Sequence, residues 1–249
     1  MKKKVKKKNL DERNGSLRNT YEKRKQHMFS HYNLTALLNG GYTPLCEIMN
    51  RHGSDKGSGH HNYTKVYHQL FESKRNLPIN ILEIGIGSIN PHIPSNMECG
   101  RNYVPGSSIR GWREYFPNAN IYCCDIDTDT FRYIQDIPNV HPFYMDMTNQ
   151  ACVDDILNPE SNTSPIRNIQ FDIIVDDGLH YFPVNANVMK SFITKLKPRE
   201  SFYIIEDIIH TQYHYQHIDF GSLNGKSYQY VRLENPQNLI DNNLFIVNN

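Results

Sequence analysis

The sequence lacks several features that would place it in a common class of protein. No apolar run approaches the roughly 18 residues of a membrane span, and no apolar segment follows the basic start as a secretion signal requires. Five cysteines are present without any C-x-x-C spacing, which argues against a zinc site and favours a reducing compartment. These absences predict a cytoplasmic protein without a membrane span.

Charge is balanced over the whole chain and uneven along it. The 249 residues carry 27 Lys and Arg against 26 Asp and Glu, a formal net charge of +1, so no broad basic field attracts nucleic acid. Lysines nevertheless crowd positions 2–8. We expect residues 1–30 to form a flexible basic tail, since such a block repels itself and buries little surface; a nucleic-acid or membrane contact is the alternative. Residues 31–249 are predicted to form a single domain that begins with a helical cap at about 31–75.

From residue 80 onward, short apolar runs alternate with helical patterns. Strands are predicted at 80–85, 120–125, 141–145, 171–175 and 202–205. Helices are predicted between them at 107–116, 128–134, 152–157 and 183–196. This alternation predicts an α/β fold with a doubly wound, mostly parallel sheet and helices on both faces. Residues 228–233 and 244–248 are predicted to add an antiparallel pair, which completes a seven-stranded sheet.

Acidic residues mark the ends of the first three predicted strands. Glu83 precedes Gly85, where the missing side chain lets a ligand approach the backbone, and Asp125 and Asp146 end the next two strands. An acidic residue after the second strand suits the hydroxyls of a ribose. The series favours a positively charged nucleoside such as S-adenosylmethionine, whereas Asn90 in place of a third glycine disfavours a dinucleotide. Alternatively, each carboxylate caps the turn that follows it.

A second acidic group follows the fourth and fifth predicted strands. The segment Asp176–His180 follows one apolar run, and Glu206 and Asp207 follow the other. Because the carboxyl ends of parallel strands meet at the ligand-binding edge of a sheet, Asp177, Glu206 and Asp207 are predicted to bind a divalent cation such as Mg²⁺. His180 is predicted to be the general base, and Asp176 to hold the amino group of the methionine part of the donor. The alternatives are that the carboxylates only cap helices and that His180 is a hydrogen-bonded residue in the wall of the site without a catalytic role.

Histidine and tyrosine are dense shortly after this group. They stand at His210, Tyr213, His214, Tyr215 and His217. The segment is predicted to form a polar aromatic lip that stacks on a sugar or a base. An ordinary surface loop is the equal alternative.

In combination these motifs resemble the metal-dependent sugar O-methyltransferases of macrolide biosynthesis. The resemblance runs from about residue 51 to 208 and rests on segments 53–56, 61–64, 82–87, 106–112, 115–116, 125–126, 171–180 and 205–207. It implies a Rossmann-like, class I S-adenosylmethionine-dependent methyltransferase with Mg²⁺ as its metal. It also implies the roles already given for the acidic residues and His180, and it adds Ser54 and Tyr63 to the donor-binding residues.

The sequence departs from that family at several positions, so the acceptor is not transferred with the resemblance. Leu179 stands where the family has Ser, and segment 106–109 reads Gly-Ser-Ser-Ile where the family has Gly-Gly-Ser-Leu. The predicted function is Mg²⁺-dependent methylation of a sugar hydroxyl, on a nucleotide-activated sugar or on a glycan for surface polysaccharide, by a homo-oligomer that binds no nucleic acid. The alternatives are a metal-dependent hydroxylase or hydrolase, and a methyltransferase acting on a natural product or RNA.

Overall fold

The computed structural model describes residues 41–97, 103–209, 214–233, 238 and 240–249. The predicted basic tail at 1–30 and the start of the predicted helical cap at 31–40 lie outside these residues. Within the described part of the chain, no helix combines the length and the apolar character needed to cross a membrane.

Five strands and the helices between them follow the predicted alternation, with two further strands at the end. The α-helices are α1 (Pro44–Arg51), α2 (Tyr63–Phe71), α3 (Ser107–Tyr115), α4 (Gln150–Leu157) and α5 (Phe182–Phe192). The strands are β1 (Asn80–Ile84), β2 (Asn120–Asp125), β3 (Val140–Tyr144), β4 (Ile173–Asp176), β5 (Phe202–Ile205), β6 (Ser227–Arg232) and β7 (Asn243–Asn248). Shorter 3₁₀ turns lie at Glu72–Lys74, Thr128–Tyr133, Ile193–Lys195 and His214–His217.

The strands form one seven-stranded sheet in the order β3-β2-β1-β4-β5-β7-β6. Strands β1 to β5 run parallel, whereas β7 pairs antiparallel with both β5 and β6. The predicted mostly parallel sheet and the terminal antiparallel pair are therefore confirmed. The strand order reverses between β1 and β4, and ligands bind in α/β sheets at the carboxyl ends of strands around such a point.

Three local features differ from a regular version of the predicted pattern. The predicted helix at 128–134 is a 3₁₀ turn, and the predicted strand at 171–175 is regular only from Ile173. Before it, Phe171 forms an isolated bridge with Leu196, and Asp172 accepts a hydrogen bond at 2.8 Å from the backbone N–H of Asn80. Pro142 has no backbone N–H to donate to a neighbouring strand. It is tolerated within β3 because β3 is an edge strand.

Apolar side chains fill both faces of the sheet. Helices α1 to α3 cover one face, where Tyr67, Phe71 and Trp112 form part of the buried core. Helices α4 and α5 cover the other, where Val153 and Phe192 lie. Such parallel strands are buried on both faces, so they read as continuous apolar runs, and polar side chains collect where the runs end.

Candidate active site

Two cavities meet at His180, at the carboxyl edge of the sheet. The first cavity lies over the ends of β1 to β4, and its lining includes Ser54, Gly85, Asp125, Asp146, Asp177 and His180. The second lies between the end of β5 and the start of α5, and its lining includes His180, Tyr181, Glu206, Asp207, Ile209 and His217. His180 therefore lines both spaces, an arrangement that suits a group transfer between two bound molecules.

Gly85 sets how closely the first cavity approaches the acidic cluster. Its φ is +83°, and a Cβ at this position would lie 2.1 Å from the backbone carbonyl oxygen of Asp177. Only glycine accepts both the dihedral angle and the contact. The end of β1, which forms one wall of the cavity, therefore rests directly against the residue after β4.

Asp125 and Asp146 line the first cavity and also hold their own loops. Asp125 accepts hydrogen bonds from the backbone N–H of Ile86 at 2.9 Å and of Asp127 at 2.8 Å. Asp146 accepts from the backbone N–H of Thr148 at 2.9 Å and from its hydroxyl at 2.6 Å. The capping interpretation thus describes real contacts. A carboxylate has about four lone-pair sites, so these hydrogen bonds do not exhaust what either side chain can accept.

Asp177, His180 and Asp207 form a compact set of possible metal ligands. Their nearest ligand atoms all lie within 4.8 Å of one another. His180 Nε2 lies 3.0 Å from Asp177 Oδ1 and 3.3 Å from Asp207 Oδ2. Both His180 and Asp207 have positive φ, 56° and 53°, a conformation that costs about 1–3 kcal/mol in a non-glycine residue and concentrates at functional sites.

Lys56 is the main member of the site that the sequence reasoning missed. Its Nζ pairs with Asp177 Oδ2 and Glu206 Oε2 and lies 3.3 Å from Glu83 Oε1. The hydroxyl of Tyr67 donates to the other oxygen of Glu206. Glu206 therefore lies on the side of the cluster formed by Lys56 and Tyr67, and both of its carboxylate oxygens already contact these side chains. Lys56 belongs to the Gly-Ser-Asp-Lys segment, which was the only sequence signal for it.

The charges in the cluster shift the pKa values of its members in opposite directions. Burial lowers the pKa of His180, but its hydrogen bond to Asp177 and the charge of Asp207 raise it to about 9. Burial raises the pKa of Asp177, but Lys56 and His180 together hold it below its ordinary range. For Asp207, burial and the neighbouring Asp177 raise the pKa to about 6. The imidazole is therefore cationic at neutral pH as long as both carboxylates are charged.

Glu83 and Tyr63 lie outside the first cavity, contrary to the prediction that they bind the donor. Glu83 is fully buried, and it accepts a hydrogen bond at 2.9 Å from the indole N–H of Trp112. Tyr63 donates at 2.6 Å to Asp207 Oδ1 and accepts at 3.2 Å from the Asp207 backbone N–H. Both side chains come from the α1–α3 side of the sheet, behind the acidic cluster, and support it from there.

Asp176 is also not a wall of the donor cavity. Its carboxylate is fully buried and accepts hydrogen bonds from Asn185 Nδ2 at 2.8 Å and from the Tyr203 hydroxyl at 2.9 Å. Successive side chains of a strand point to opposite faces, so Asp176 points into the core beside α5 while Asp177 points to the cluster. Burial raises the pKa of Asp176 to about 7.

The second cavity combines acidic and apolar groups. Tyr181 and Ile209 are exposed over 58% and 49% of their surfaces, so they offer apolar area at the mouth. None of the described residues that line it is a lysine or an arginine. His217 is the one residue of the predicted aromatic lip whose side chain is described, and it lies here. His210 and Tyr213 lie outside the described residues.

Curated proteins similar to this chain in sequence include O-methyltransferases that act on sugars of natural products. The 8-demethyl-8-α-L-rhamnosyl tetracenomycin-C 2′-O-methyltransferase of Streptomyces olivaceus is 32% identical over 179 residues, which cover 70% of this chain and 40% of that enzyme. The L-olivosyl-oleandolide 3-O-methyltransferase of Streptomyces antibioticus is 30% identical over 167 residues, 66% of this chain and 37% of its own length. The homologues of this chain are sugar O-methyltransferases. No protein-family model matches the chain.

The solved structures of such methyltransferases agree with the fold. The MycE methyltransferase of mycinamicin biosynthesis, in complex with Mg and SAH, superposes with a TM-score of 0.52 at 26% identity, over 67% of this chain and 38% of MycE. MycE in complex with Mg, SAH and mycinamicin VI gives a TM-score of 0.58 at 21% identity, over 83% and 54%. The predicted Rossmann-like methyltransferase fold is confirmed. The chain spans only about two fifths of the length of the sugar O-methyltransferases that it matches in sequence.

Proposed function

We propose that this protein transfers a methyl group from S-adenosylmethionine to a sugar hydroxyl in a reaction that depends on a divalent cation, Mg²⁺ first of all. The observation that supports it most is the position of His180, between two cavities and within hydrogen-bond distance of Asp177. The sugar O-methyltransferases among its relatives support the same chemistry.

The first cavity is the proposed donor site. Asp125 would accept hydrogen bonds from the ribose hydroxyls, Asp146 would face the adenine, and Ser54 and Gly85 complete the lining. The side of the cavity formed by Asp177 adjoins the acidic cluster. A sulfonium placed there is attracted by the nearby carboxylates, which favours a positively charged donor over one that carries phosphates.

The acidic cluster is the proposed metal and base centre. Carboxylate oxygens of Asp177 and Asp207 are hard ligands that suit Mg²⁺. Glu206, which the sequence also predicts as a ligand, would have to exchange its contact with Lys56 or Tyr67 to join them. When bound, such a cation lowers the pKa of a hydroxyl that it contacts. Neutralising the charges of Asp177 and Asp207 would also lower the pKa of His180 towards its ordinary value, the state that a general base requires.

The proposed chemical step requires little from the protein beyond orientation and one proton transfer. The acceptor oxygen forms a bond to the methyl carbon while the carbon–sulfur bond breaks, and the sulfur leaves with the electron pair as a neutral thioether. His180 Nε2 takes the hydroxyl proton. Because His180 lines both cavities, donor and acceptor bound in them would lie on either side of the base, and such positioning is the main contribution expected of an enzyme in this reaction.

The second cavity is the proposed acceptor site, and its chemistry favours an uncharged sugar. A nucleotide sugar carries a diphosphate, yet the described lining contains Glu206 and Asp207 without a lysine or arginine. Tyr181 and Ile209 provide apolar surface that suits the carbon face of a sugar or an aglycone. Among the predicted acceptors we therefore favour a glycoside or glycan over a nucleotide-activated sugar. Assembly as a homo-oligomer stays a prediction.

A panel of acceptors tests this proposal. The full chain is incubated with S-adenosylmethionine, Mg²⁺ and either neutral glycosides or nucleoside diphosphate sugars, and products are screened for the mass of one added methyl group. We expect methylated glycosides, with His180→Ala as the inactive control. Methylation of the nucleotide sugars alone would contradict the acceptor assignment. Binding of S-adenosylmethionine without methylation of any sugar would favour a methyltransferase directed at another acceptor such as RNA, whereas failure to bind S-adenosylmethionine would favour a hydroxylase or hydrolase.

A further inference from the structure

Lys56 is a buried cation held by carboxylates from three strands. It lies in the loop between α1 and α2, and its side chain is only 1% exposed. Its Nζ contacts Glu83 on β1, Asp177 after β4 and Glu206 after β5. A buried ammonium group is costly unless several acceptors surround it, so this convergence of three acidic residues on one lysine defines a specific position.

Within the described residues, Lys56 is the lysine that pairs with this group of carboxylates. Glu83, Asp177, Glu206 and Asp207 bring four carboxylates together. Among the described residues, the lysine and arginine side chains other than Lys56 form no ion pair with any of them. The remaining ion-pair partners are His61, which pairs with Asp207, and His180, which pairs with both Asp177 and Asp207. The ammonium group thus balances part of the charge that a divalent cation would otherwise balance.

The two oxygens of Asp177 divide the cluster into an inner and an outer side. Oδ2 contacts Lys56, whereas Oδ1 faces His180 and the ligand atoms of the Asp177–His180–Asp207 set. Lysine and metal can therefore share one carboxylate without competing for the same oxygen. Two cations bound to opposite sides of one carboxylate repel each other at short range, and the resident ammonium group weakens the attraction for the second cation.

We propose that Lys56 is a resident counter-ion that holds the strand ends together when no metal is bound and keeps divalent-cation binding weak enough for exchange. This inference rests on the proposed function, which supplies the cation. Lys56 is a positioning residue in this account, since it acts through Asp177 and Glu206 and contacts neither donor nor acceptor. Removing its charge is expected to tighten metal binding while it destabilises the metal-free fold.

Titration with Mn²⁺, without donor or acceptor, tests the inference on the full chain. Calorimetry or the electron paramagnetic resonance of free Mn²⁺ gives the Kd. We expect K56M to bind Mn²⁺ at least about tenfold more tightly than the wild type, since loss of a unit charge a few ångströms away exceeds that ratio even in a well-screened site. K56R, which keeps the charge, should stay close to the wild type. Lys74→Met is the matched control, because Lys74 is buried but pairs with Glu200.

Each outcome bears on either the inference or the function. Mn²⁺ binding by the wild type that K56M leaves unchanged or weakens overturns the inference alone. Tight binding by K56M without binding by the wild type supports the role of Lys56 and contradicts a metal-dependent function. No binding by either protein overturns both. If K56M is unfolded without metal, refolding on addition of Mn²⁺ supports the inference, and failure to refold at concentrations that saturate the wild type overturns it.

Discussion

Replacing Tyr63 by phenylalanine tests whether this residue supports Asp207 from behind or binds the donor. In the structure its hydroxyl donates to Asp207 Oδ1 at 2.6 Å and accepts from the Asp207 backbone N–H at 3.2 Å. A hydrogen bond to a charged group contributes about 1.5–3 kcal/mol, and a buried N–H left without a partner adds a further penalty. We expect Tyr63→Phe to lower the free energy of unfolding by about 3 kcal/mol, measured by urea denaturation. We also expect it to weaken Mn²⁺ binding about 10- to 100-fold, as for other residues that orient a metal ligand.

A matched variant on the other side of the sheet isolates the effect on the metal. The Tyr203 hydroxyl donates at 2.9 Å to Asp176, a buried carboxylate outside the cluster. Tyr203→Phe loses one hydrogen bond to a carboxylate, so it should cost about 1.5–3 kcal/mol of stability and leave the Kd for Mn²⁺ unchanged. Titration with S-adenosylmethionine is expected to give the wild-type Kd for Tyr63→Phe. Weakened donor binding with intact Mn²⁺ binding would refute the placement of Tyr63 behind Asp207 and restore it to the donor site.

Three further predictions concern Gly85, His180 and Asp176. Gly85→Ala should destabilise the protein by about 2–3 kcal/mol and weaken S-adenosylmethionine binding in a titration, because the new Cβ meets Asp177 at positive φ; unchanged binding would contradict the close approach. In the metal-free protein, His180 has a pKa raised to about 9, so its stabilising contribution is complete below about pH 6.5 and is lost as the pH rises through 9. Denaturation across that range in EDTA should show the loss, and His180→Ala should flatten it. Burial raises the pKa of Asp176 to about 7. The free energy of unfolding should therefore be highest with respect to this group below about pH 4 and fall by up to about 4 kcal/mol by pH 7, because the unfolded carboxyl group ionises over that range and the buried one resists ionisation. Asp176→Asn should remove that dependence on pH.

The positions of the acidic clusters could be predicted from the sequence because the carboxyl ends of neighbouring parallel strands meet at one edge of the sheet. The apolar runs before Asp125, Asp177 and Glu206 are strands of one parallel sheet, and the carboxyl ends of such strands share an edge. The direction of each side chain at that edge was harder to predict. Asp176 and Asp177 are neighbours in sequence, yet they point to opposite faces of the sheet, and the sequence does not indicate which face is the ligand's.

Lys56 illustrates what local patterns cannot reveal. It is separated by 121 residues from Asp177 and by 150 from Glu206, and only the tertiary fold brings the Gly53–Gly59 loop over the strand ends. The positive φ of His180 and Asp207 is similarly not readable from the sequence, since Asp and His adopt that region more often than most residues but still only in a small minority of cases. The 3₁₀ turn at Thr128–Tyr133 begins with a cap by Asp127, which accepts from the backbone N–H of Asp129; a cap of this kind also begins α-helices, so it does not distinguish the two from sequence.

Methyl transfer before and after removal of metal is the most direct test of the central claim. The full chain is stripped with EDTA, checked for residual metal by elemental analysis, and assayed with S-adenosylmethionine and a glycoside acceptor found in the panel. We expect activity to disappear on chelation and to return with added Mg²⁺, while binding of S-adenosylmethionine persists throughout. Full activity in the verified metal-free protein would contradict the account of Asp177, His180 and Asp207 as a metal and base centre.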